Sequence, residues 1–336
     1  MRLSGLGRCA LTRCVAVAML AGCGGSQPPI SVSSSTTQTP AIAMLAPCSE
    51  SNLTNGAVPL FTRMLSNRSS FHRASDVRSG TSDSQTFYYT GAEQSFKVPS
   101  GVRSINVVAD GAAGASKKYG RGGRTQAAIP VTPRETLYVF VGGQGSTQSG
   151  GFNGGGGVPS SGGYGGGGAS DVREGGDGLS DRILVAGAGG GAGAGGSSGL
   201  PVWRGGAGGG PTGKHGGQGA AGAGRGGGGG SQTEGGSGGA GGPGGQPGSS
   251  GALGAGGTGG LNGGYTSRSR GNGGGGGGGY YGGGGGGGGG GESCGPAFPG
   301  GGGGGGSSYV ESSASGVKMY QGWKHDIGNG QVVFSW

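Results

Sequence analysis

GGGGGGGYYGGGGGGGGGG, residues 273–291, decides how this chain is read: seven glycines, the pair Tyr280-Tyr281, then ten glycines. Seven more occupy residues 300–306, and glycine supplies 103 of the 336 residues. A glycine run has no side chain to bury and no catalytic group to aim. Whatever the middle of this chain does, it does with backbone. Collagen is excluded, because a collagen helix needs Gly at every third position with Pro between; here the glycines are contiguous and Pro totals 15.

Backbone energetics set what such a run can do. Ordering one residue costs about 1–2 kcal/mol, with Gly at the upper end. A hydrogen bond returns about 0.5–1.5 kcal/mol net, and a Cα–H···O contact about 0.5–1 more. An isolated glycine run therefore stays disordered. Extended three-residue-per-turn helices of the polyproline-II type do better when many pack side by side, since only Gly admits close approach on every side. Ten such residues span about 31 Å. The interruptions Tyr280-Tyr281 and Pro296-Ala297-Phe298-Pro299 are then expected to be reversals, with tyrosine rings covering the lattice.

Moving outward, the texture changes. Residues 85–90, 94–98, 102–109, 124–131 and 136–141 read as strands, with Ile105, Val107 and Ala109 on one face of the third. Residues 136–141 are apolar on both faces, as in a strand between two layers. Residues 182–186 form a short apolar strand inside the glycine region, and residues 307–310, 317–321 and 331–336 resume the pattern. No helical period is sustained. The expected class is all-β: a β-sandwich over residues 85–336, closed by late strands pairing with early ones, with a glycine array at about residues 142–306 inserted between them.

The N-terminal residues read as an export signal. Arg2, Arg8 and Arg13 precede a short apolar stretch, and Leu20-Ala21-Gly22-Cys23 has the form of a bacterial lipobox. Residues 1–22 are the expected leader and Cys23 the expected lipidated N-terminus, held on the outer face of a membrane by acyl chains; without lipidation the protein would be secreted. Residues 23–84, rich in Ser, Thr and Pro, are the expected tether, mostly disordered. Cys48 and Cys294 either pair in the oxidising compartment or remain two free thiols. The chain carries formal charge +9. Removing the leader arginines leaves 20 basic and 14 acidic residues, and the array is nearly neutral, which argues against a nucleic-acid partner.

The strands and glycine segments together resemble a known family. Phe87-Tyr-Tyr-Thr-Gly91, Gln94-Ser-Phe-Lys-Val-Pro-Ser-Gly-Val102, Ser104-Ile-Asn-Val-Val108, Glu135-Thr-Leu-Tyr-Val-Phe-Val-Gly-Gly143, Gly165-Gly-Gly-Gly-Ala-Ser-Asp-Val-Arg173, Asp181-Arg-Ile-Leu-Val-Ala186, Gly279-Tyr-Tyr-Gly282 and Gly306-Ser-Ser-Tyr309 are similar to the glycine-rich extracellular domain of the anaplastic lymphoma kinase and leukocyte tyrosine kinase receptors. The resemblance implies a tumour-necrosis-factor-like, jelly-roll-type sandwich carrying a bundle of polyglycine-II helices. It also implies extracellular placement and a binding role, towards an extracellular protein or glycan, with a homo-oligomer among the states such a fold admits. Kinase activity does not carry over, because Val-Ala-Ile-Lys, His-Arg-Asp and Asp-Phe-Gly are all missing from this sequence.

Chemistry-bearing motifs are few. Gly208-Gly-Gly-Pro-Thr-Gly-Lys214 has phosphate-loop spacing, but His215 stands where Ser or Thr would bind magnesium. Arg121-Gly-Gly, Arg204-Gly-Gly and Arg225-Gly-Gly have the form of RNA-binding tracts but are too sparse for one. His72, His215 and His325 are far apart, so no metal and no cofactor is expected. Asp171, Arg173, Asp181 and Arg182 form the expected charge cluster, pinning a loop to the sandwich through carboxylate–guanidinium bonds. Tyr280 and Tyr281 are expected to cover the lattice, with a contact platform the alternative, and Trp203 to be an exposed contact residue. These readings add up to a non-catalytic adhesion module; the competing one is a disordered glycine coat or spacer. Cys23→Ala is expected to release the protein from the membrane fraction of cells, whereas persistent membrane binding would remove the lipobox reading.

Overall fold

The computed structural model describes residues 83–116, 120–160, 162–196, 202–219, 221–263, 271–291, 298–323 and 328–336. All belong to one compact unit, Ser75–Trp336. The expected leader, residues 23–82 of the expected tether with Cys23 and Cys48, and Cys294 lie outside the described residues, as do Pro296 and Ala297; the last tether residue, Ser84, begins a strand.

The described chain is all-β. Its strands are β1 (Ser84–Tyr88), β2 (Gln94–Lys97), β3 (Ser104–Asp110), β4 (Arg124–Pro130), β5 (Thr136–Phe140), β6 (Ser170–Glu174), β7 (Arg182–Ala186), β8 (Tyr309–Val310), β9 (Ser315–Tyr320) and β10 (Gln331–Ser335). They form two antiparallel five-stranded sheets, ordered β1-β10-β3-β4-β9 and β2-β5-β6-β7-β8. Alternation creates the core. Ile105, Val107 and Ala109 face inward from β3 and Leu137 and Val139 from β5, all essentially inaccessible to solvent. Phe96 of one sheet meets Phe334 of the other edge-on, with centroids 5.0 Å apart, and Phe87 closes the triangle at 5.3 Å from Phe334. Late strands pair with early ones: β10 lies between β1 and β3, and β9 adds to β4.

Two expectations change. Residues 170–174 form a strand, buried between β5 and β7, although Ser-Asp-Val-Arg-Glu shows no apolar alternation. Strand β5 is not enclosed on both faces: Tyr138 and Phe140 are half-buried. Phe140 is covered instead by individual side chains, the Arg173 guanidinium at 3.7 Å and the Phe152 ring at 6.4 Å.

The glycine array is fed by three connections and begins earlier than the expected residue 142. They are β3–β4, β5–β6 and β7–β8, whose residues next to the strands bond to one another: Gly123 N–H donates to Gly187 O (2.8 Å) and Ala112 N–H to Gly168 O (3.0 Å). Because β7 pairs with β8, with Val185 opposite Tyr309, the ends of the longest connection are adjacent.

Within the array the hydrogen bonds follow a period of three. The amides of Gly282, Gly285 and Gly288 donate to the carbonyls of Ala252, Ser249 and Gln246. Those of Gly283, Gly286 and Gly289 donate to Gly277, Gly274 and Gly271, and those of Gly284, Gly287 and Gly290 to Gly228, Arg225 and Gly222. The carbonyls of the same run accept from three further segments: from Gly236, Gly239 and Gly242; from Gly257, Gly260 and Gly263; and from Gly304, Gly301 and Phe298. Every amide and carbonyl of residues 282–290 is thus paired, with six neighbouring segments. The chain reverses at Tyr280-Tyr281, since residues 283 and 286 bond back to residues 277 and 274.

Glycine content tracks how many sides are covered. A Cβ on Gly286 would lie 2.1 Å from Gly301 O, on Gly287 2.0 Å from Ala240 O, and on Gly288 1.9 Å from Leu261 O, so all three faces of this run exclude a side chain. Residues 235–243 repeat Gly-Gly-x, and the third positions, Ser237, Ala240 and Pro243, are exposed. Residues 246–252 retain one glycine per turn, Gly248 and Gly251, with the positions between them exposed. Gly286→Ala is expected to cost more than about 4 kcal/mol in chemical denaturation, the range of a severe core lesion, and Ser237→Ala to stay within about 0.5 kcal/mol. Similar effects of the two changes would refute this account of the array.

Candidate functional site

The end of the sandwich that carries the array is stitched by buried polar groups, each with a partner. Thr125 Oγ1 donates to Val185 O at 3.0 Å and lies 3.0 Å from Ser308 Oγ, which accepts from Gly187 N–H at 3.1 Å. Ser170 Oγ donates to Asp110 O (2.6 Å) and accepts from Gly142 N–H (3.0 Å). Asp110 binds Arg124 through both carboxylate oxygens, at 2.5 Å each. Unpaired, such groups would cost about 1–3 kcal/mol apiece. Here they join loops of both sheets to the first turns of the array.

Of the four charged residues expected to cluster, Asp171 and Arg173 form a buried ion pair, Nε to Oδ1 at 2.7 Å. Asn153, held at φ 65°, donates from Nδ2 to Asp171 Oδ2 (2.7 Å) and to Ala169 O (2.8 Å). Arg173 also donates to Asp177 O. Asp181 binds neither arginine; its Oδ2 accepts from Gly178 N–H at 2.9 Å and closes the single 3-10 turn, Leu179–Asp181.

Arg182 works differently from expectation. It forms no carboxylate bond. Its fork donates to three backbone carbonyls: Nε to Leu179 O (2.9 Å), Nη1 to Gly279 O (2.9 Å) and Nη2 to Tyr280 O (3.1 Å). Leu179 O belongs to the 3-10 turn, and Gly279 O and Tyr280 O sit at the chain reversal, where Tyr280 O also accepts from Gly254 N–H at 2.9 Å. Burial pushes the guanidinium below its ordinary value, opposed chiefly by the Asp171 charge. The guanidinium also lies 4.9 Å from the Tyr280 ring centroid, and Tyr280 stacks on Tyr309 with centroids 4.1 Å apart. Tyr280 and Tyr281 are both half-buried. Leu179 and Leu253, each 39 % exposed, belong to segments beside them: Leu179 starts the turn that ends at Arg182, and Leu253 forms a bridge with Tyr281. The result is a small aromatic and aliphatic surface at the joint between sheet and array.

Trp203 is not exposed: it is half-buried, and its indole Nε1 is enclosed with no hydrogen-bond partner. Gly219 covers that nitrogen so closely that a Cβ there would lie 2.6 Å from it. The phosphate-loop-like segment is committed elsewhere, with Gly208, Gly209, Gly213 and Lys214 amides donating to Arg121, Gly306, Gly230 and Ala207. Among the described residues no group of three or more His, Cys, Asp or Glu is placed to hold a metal ion, and no helix is long and apolar enough to cross a membrane. Sequence reasoning missed Asn153, for which the turn-forming dipeptide Asn153-Gly154 was the available clue, and the hydroxyls Ser307 and Ser308, which directly follow a glycine run. No family model matches the chain, and a search of curated proteins finds no match.

Arg182→Ala, which removes three hydrogen bonds at once and leaves Leu179 O and Gly279 O without their donor, is expected to lower stability by about 2–4 kcal/mol, and Arg182→Lys to recover only part of this, because an ammonium cannot reproduce the planar fork. Equal stability of both variants and the parent in denaturant titration would contradict the role given to this side chain. Glu174 supplies a pH dependence. Burial, then the hydrogen bond and charge of Glu135, then the charge of Glu311, raise its carboxyl from 4.5 to about 7. The folded state therefore holds this proton more tightly than the unfolded chain. The associated stability is complete below about pH 4.5 and is lost as pH rises through 7. The thermal midpoint is expected to fall between pH 5 and 8 by an amount worth at most about 1 kcal/mol after solvent screening, and Glu174→Gln to flatten that slope.

Proposed function

We propose that this protein is a lipid-anchored, non-catalytic binding or adhesion module on the outer face of a cell envelope. In this reading Cys23 carries the lipid, residues 23–84 are the tether, and the domain beyond is a jelly-roll-type sandwich bearing a bundle of polyglycine-II helices, like the glycine-rich region of the receptors it resembles. Its partner is an extracellular protein or glycan. The observation that carries the reading is the period-three pairing of residues 282–290 with six neighbouring segments. Three residues per turn is the polyproline-II repeat. A backbone so paired is a stiff frame, and a stiff frame is of use for presenting side chains at fixed spacing, which a hydrated coat does not need.

Amide hydrogen exchange resolved across residues 273–291 and 300–306 separates the two uses. Protection comparable to that of strands β3 and β5 is expected. Exchange at the rate of an unstructured peptide, with protection confined to the strands, would leave the coat or spacer reading in possession of the field.

A further inference from the structure

The array is nearly neutral by count, yet its cations are not spread evenly. Arg121, Arg204, Lys214 and His215 surround one open groove of about 480 Å³, with Gln321 on its rim and glycine backbone for much of its floor. The volume is that of a site for a small ligand or a few units of a polymer. No carboxylate lines it among the described residues. Among the described residues the side chains of Arg121, Arg204 and Lys214 enter no ion pair or hydrogen bond there, in contrast to Arg124, Arg173 and Arg182. Three cations held close together without a counter-charge repel one another, and an anion relieves that cost.

Their mounting is rigid. Gly208 N–H donates to Arg121 O (2.9 Å), Gly217 N–H to Arg204 O (2.7 Å), Lys214 N–H to Ala207 O (2.8 Å) and Gly305 N–H to Lys214 O (2.9 Å). The backbone beneath each charge is thereby fixed to its neighbours, so binding would spend entropy on the side chains alone. The floor amides of Gly206, Gly217 and Gly322 already donate to Gly303, Arg204 and Gly208, so recognition falls mainly to the side chains. Gln321 donates from Nε2 to Thr212 O, which leaves its carbonyl oxygen to accept from a hydroxyl.

We propose that this groove docks an acidic polysaccharide, a sugar chain bearing carboxylate or sulfate groups, with Arg121, Arg204 and Lys214 pairing its anions and Gln321 accepting from its hydroxyls. This names the partner class for the binding module proposed above and rests on that reading. A single-stranded nucleic acid fits less well: its sequence-tolerant binding draws about 1–3 kcal/mol per base from stacking on aromatic rings, and no Phe, Tyr or Trp lines the groove.

The test uses the full chain in detergent, with retention measured on immobilised polygalacturonate, heparin, poly(U) RNA and uncharged dextran. Binding to one or both acidic glycans is expected, weakening as salt rises because these charges are exposed. Polygalacturonate alone would assign carboxylate as the anion, heparin alone sulfate. The triple variant Arg121→Ala, Arg204→Ala, Lys214→Ala is expected to bind at least about tenfold more weakly, while Arg225→Ala, an exposed arginine elsewhere on the array, binds like the parent. The double variant Arg121→Lys, Arg204→Lys, which keeps both charges, is expected to retain most of the affinity and shows that the loss is not one of folding. Undiminished binding by the triple variant, or preference for poly(U) over both glycans, would overturn the assignment. If none of the polymers is retained the groove proposal also fails; retention of the chain on envelope fragments in the same experiment would keep the binding-module reading, and its absence would remove both.

Discussion

The structure depends on amide–carbonyl hydrogen bonds made between chain segments that have nothing between them. In a sheet each strand bonds two neighbours and its side chains stand clear of the ladder. In this array a segment bonds up to six neighbours, and there is no direction left in which a side chain could stand. The three all-glycine runs bond one another in a closed ring: Gly283 to Gly277, Gly277 to Gly304 and Gly304 to Gly284. None of the three can be ordered by itself, because each obtains part of its pairing from the other two. Ordering is therefore cooperative, and the small net gain per residue becomes useful only when the whole bundle assembles.

The sandwich supplies what the bundle lacks. A glycine segment has no hydrophobic term and nothing to select one register over another, because sliding by three residues restores an equivalent pattern. The strands remove that freedom. Gly111, Gly123, Gly142, Gly187 and Gly306 continue from, or lie one to three residues from, the ends of strands whose register is set by a packed apolar core. Ser308, Thr125 and Ser170 then fix the first turns through hydroxyls with defined partners. Arg182 does the same at the far side of the joint, locking the Gly279-Tyr280 reversal. Long connections are cheap in closure entropy, which grows only with the logarithm of length, so a small β-core can carry a large insertion once its ends are held.

Strands with period-two apolar faces were legible in the sequence because burial on one face leaves that period in the residues; β3 and β4 are cases. Strand β6 was not, because what buries it is an ion pair, a serine hydroxyl and one valine, and no apolar alternation survives. The charged residues around it were recognisable as a cluster, but their partners were not. Arg182 bonds carbonyls of residues about a hundred positions later, and nothing local marks them as its acceptors. The array carried a clearer signal than the one first read from it. Contiguous glycine marks segments enclosed on all sides, Gly-Gly-x marks segments with one open side, and a single glycine in three marks the outermost. Arg121, Arg204, Lys214 and His215 were each visible as residues, yet their convergence was not, because neighbours in this lattice are chosen by bundle geometry and not by sequence distance.

That geometry has a functional consequence. Apart from a few buried alanines and Asn272, side chains occur where the lattice meets solvent, so the array displays them at perimeter positions on a hydrogen-bonded backbone. The usual cost of recruiting loop residues to a binding surface is the entropy of ordering the loop, and here it is met once, in folding. The same feature limits what the surface can recognise. In the binding role proposed above, such a surface suits partners that are themselves repetitive and polar, meeting charges at regular intervals. The joint offers the complement: Tyr280, Tyr309, Leu179 and Leu253 bring aromatic and aliphatic surface together beside the sheet, where strand geometry allows large side chains. A protein with polar display on the array and apolar display at its joint with the sheets carries two chemically distinct surfaces on one hydrogen-bonded frame.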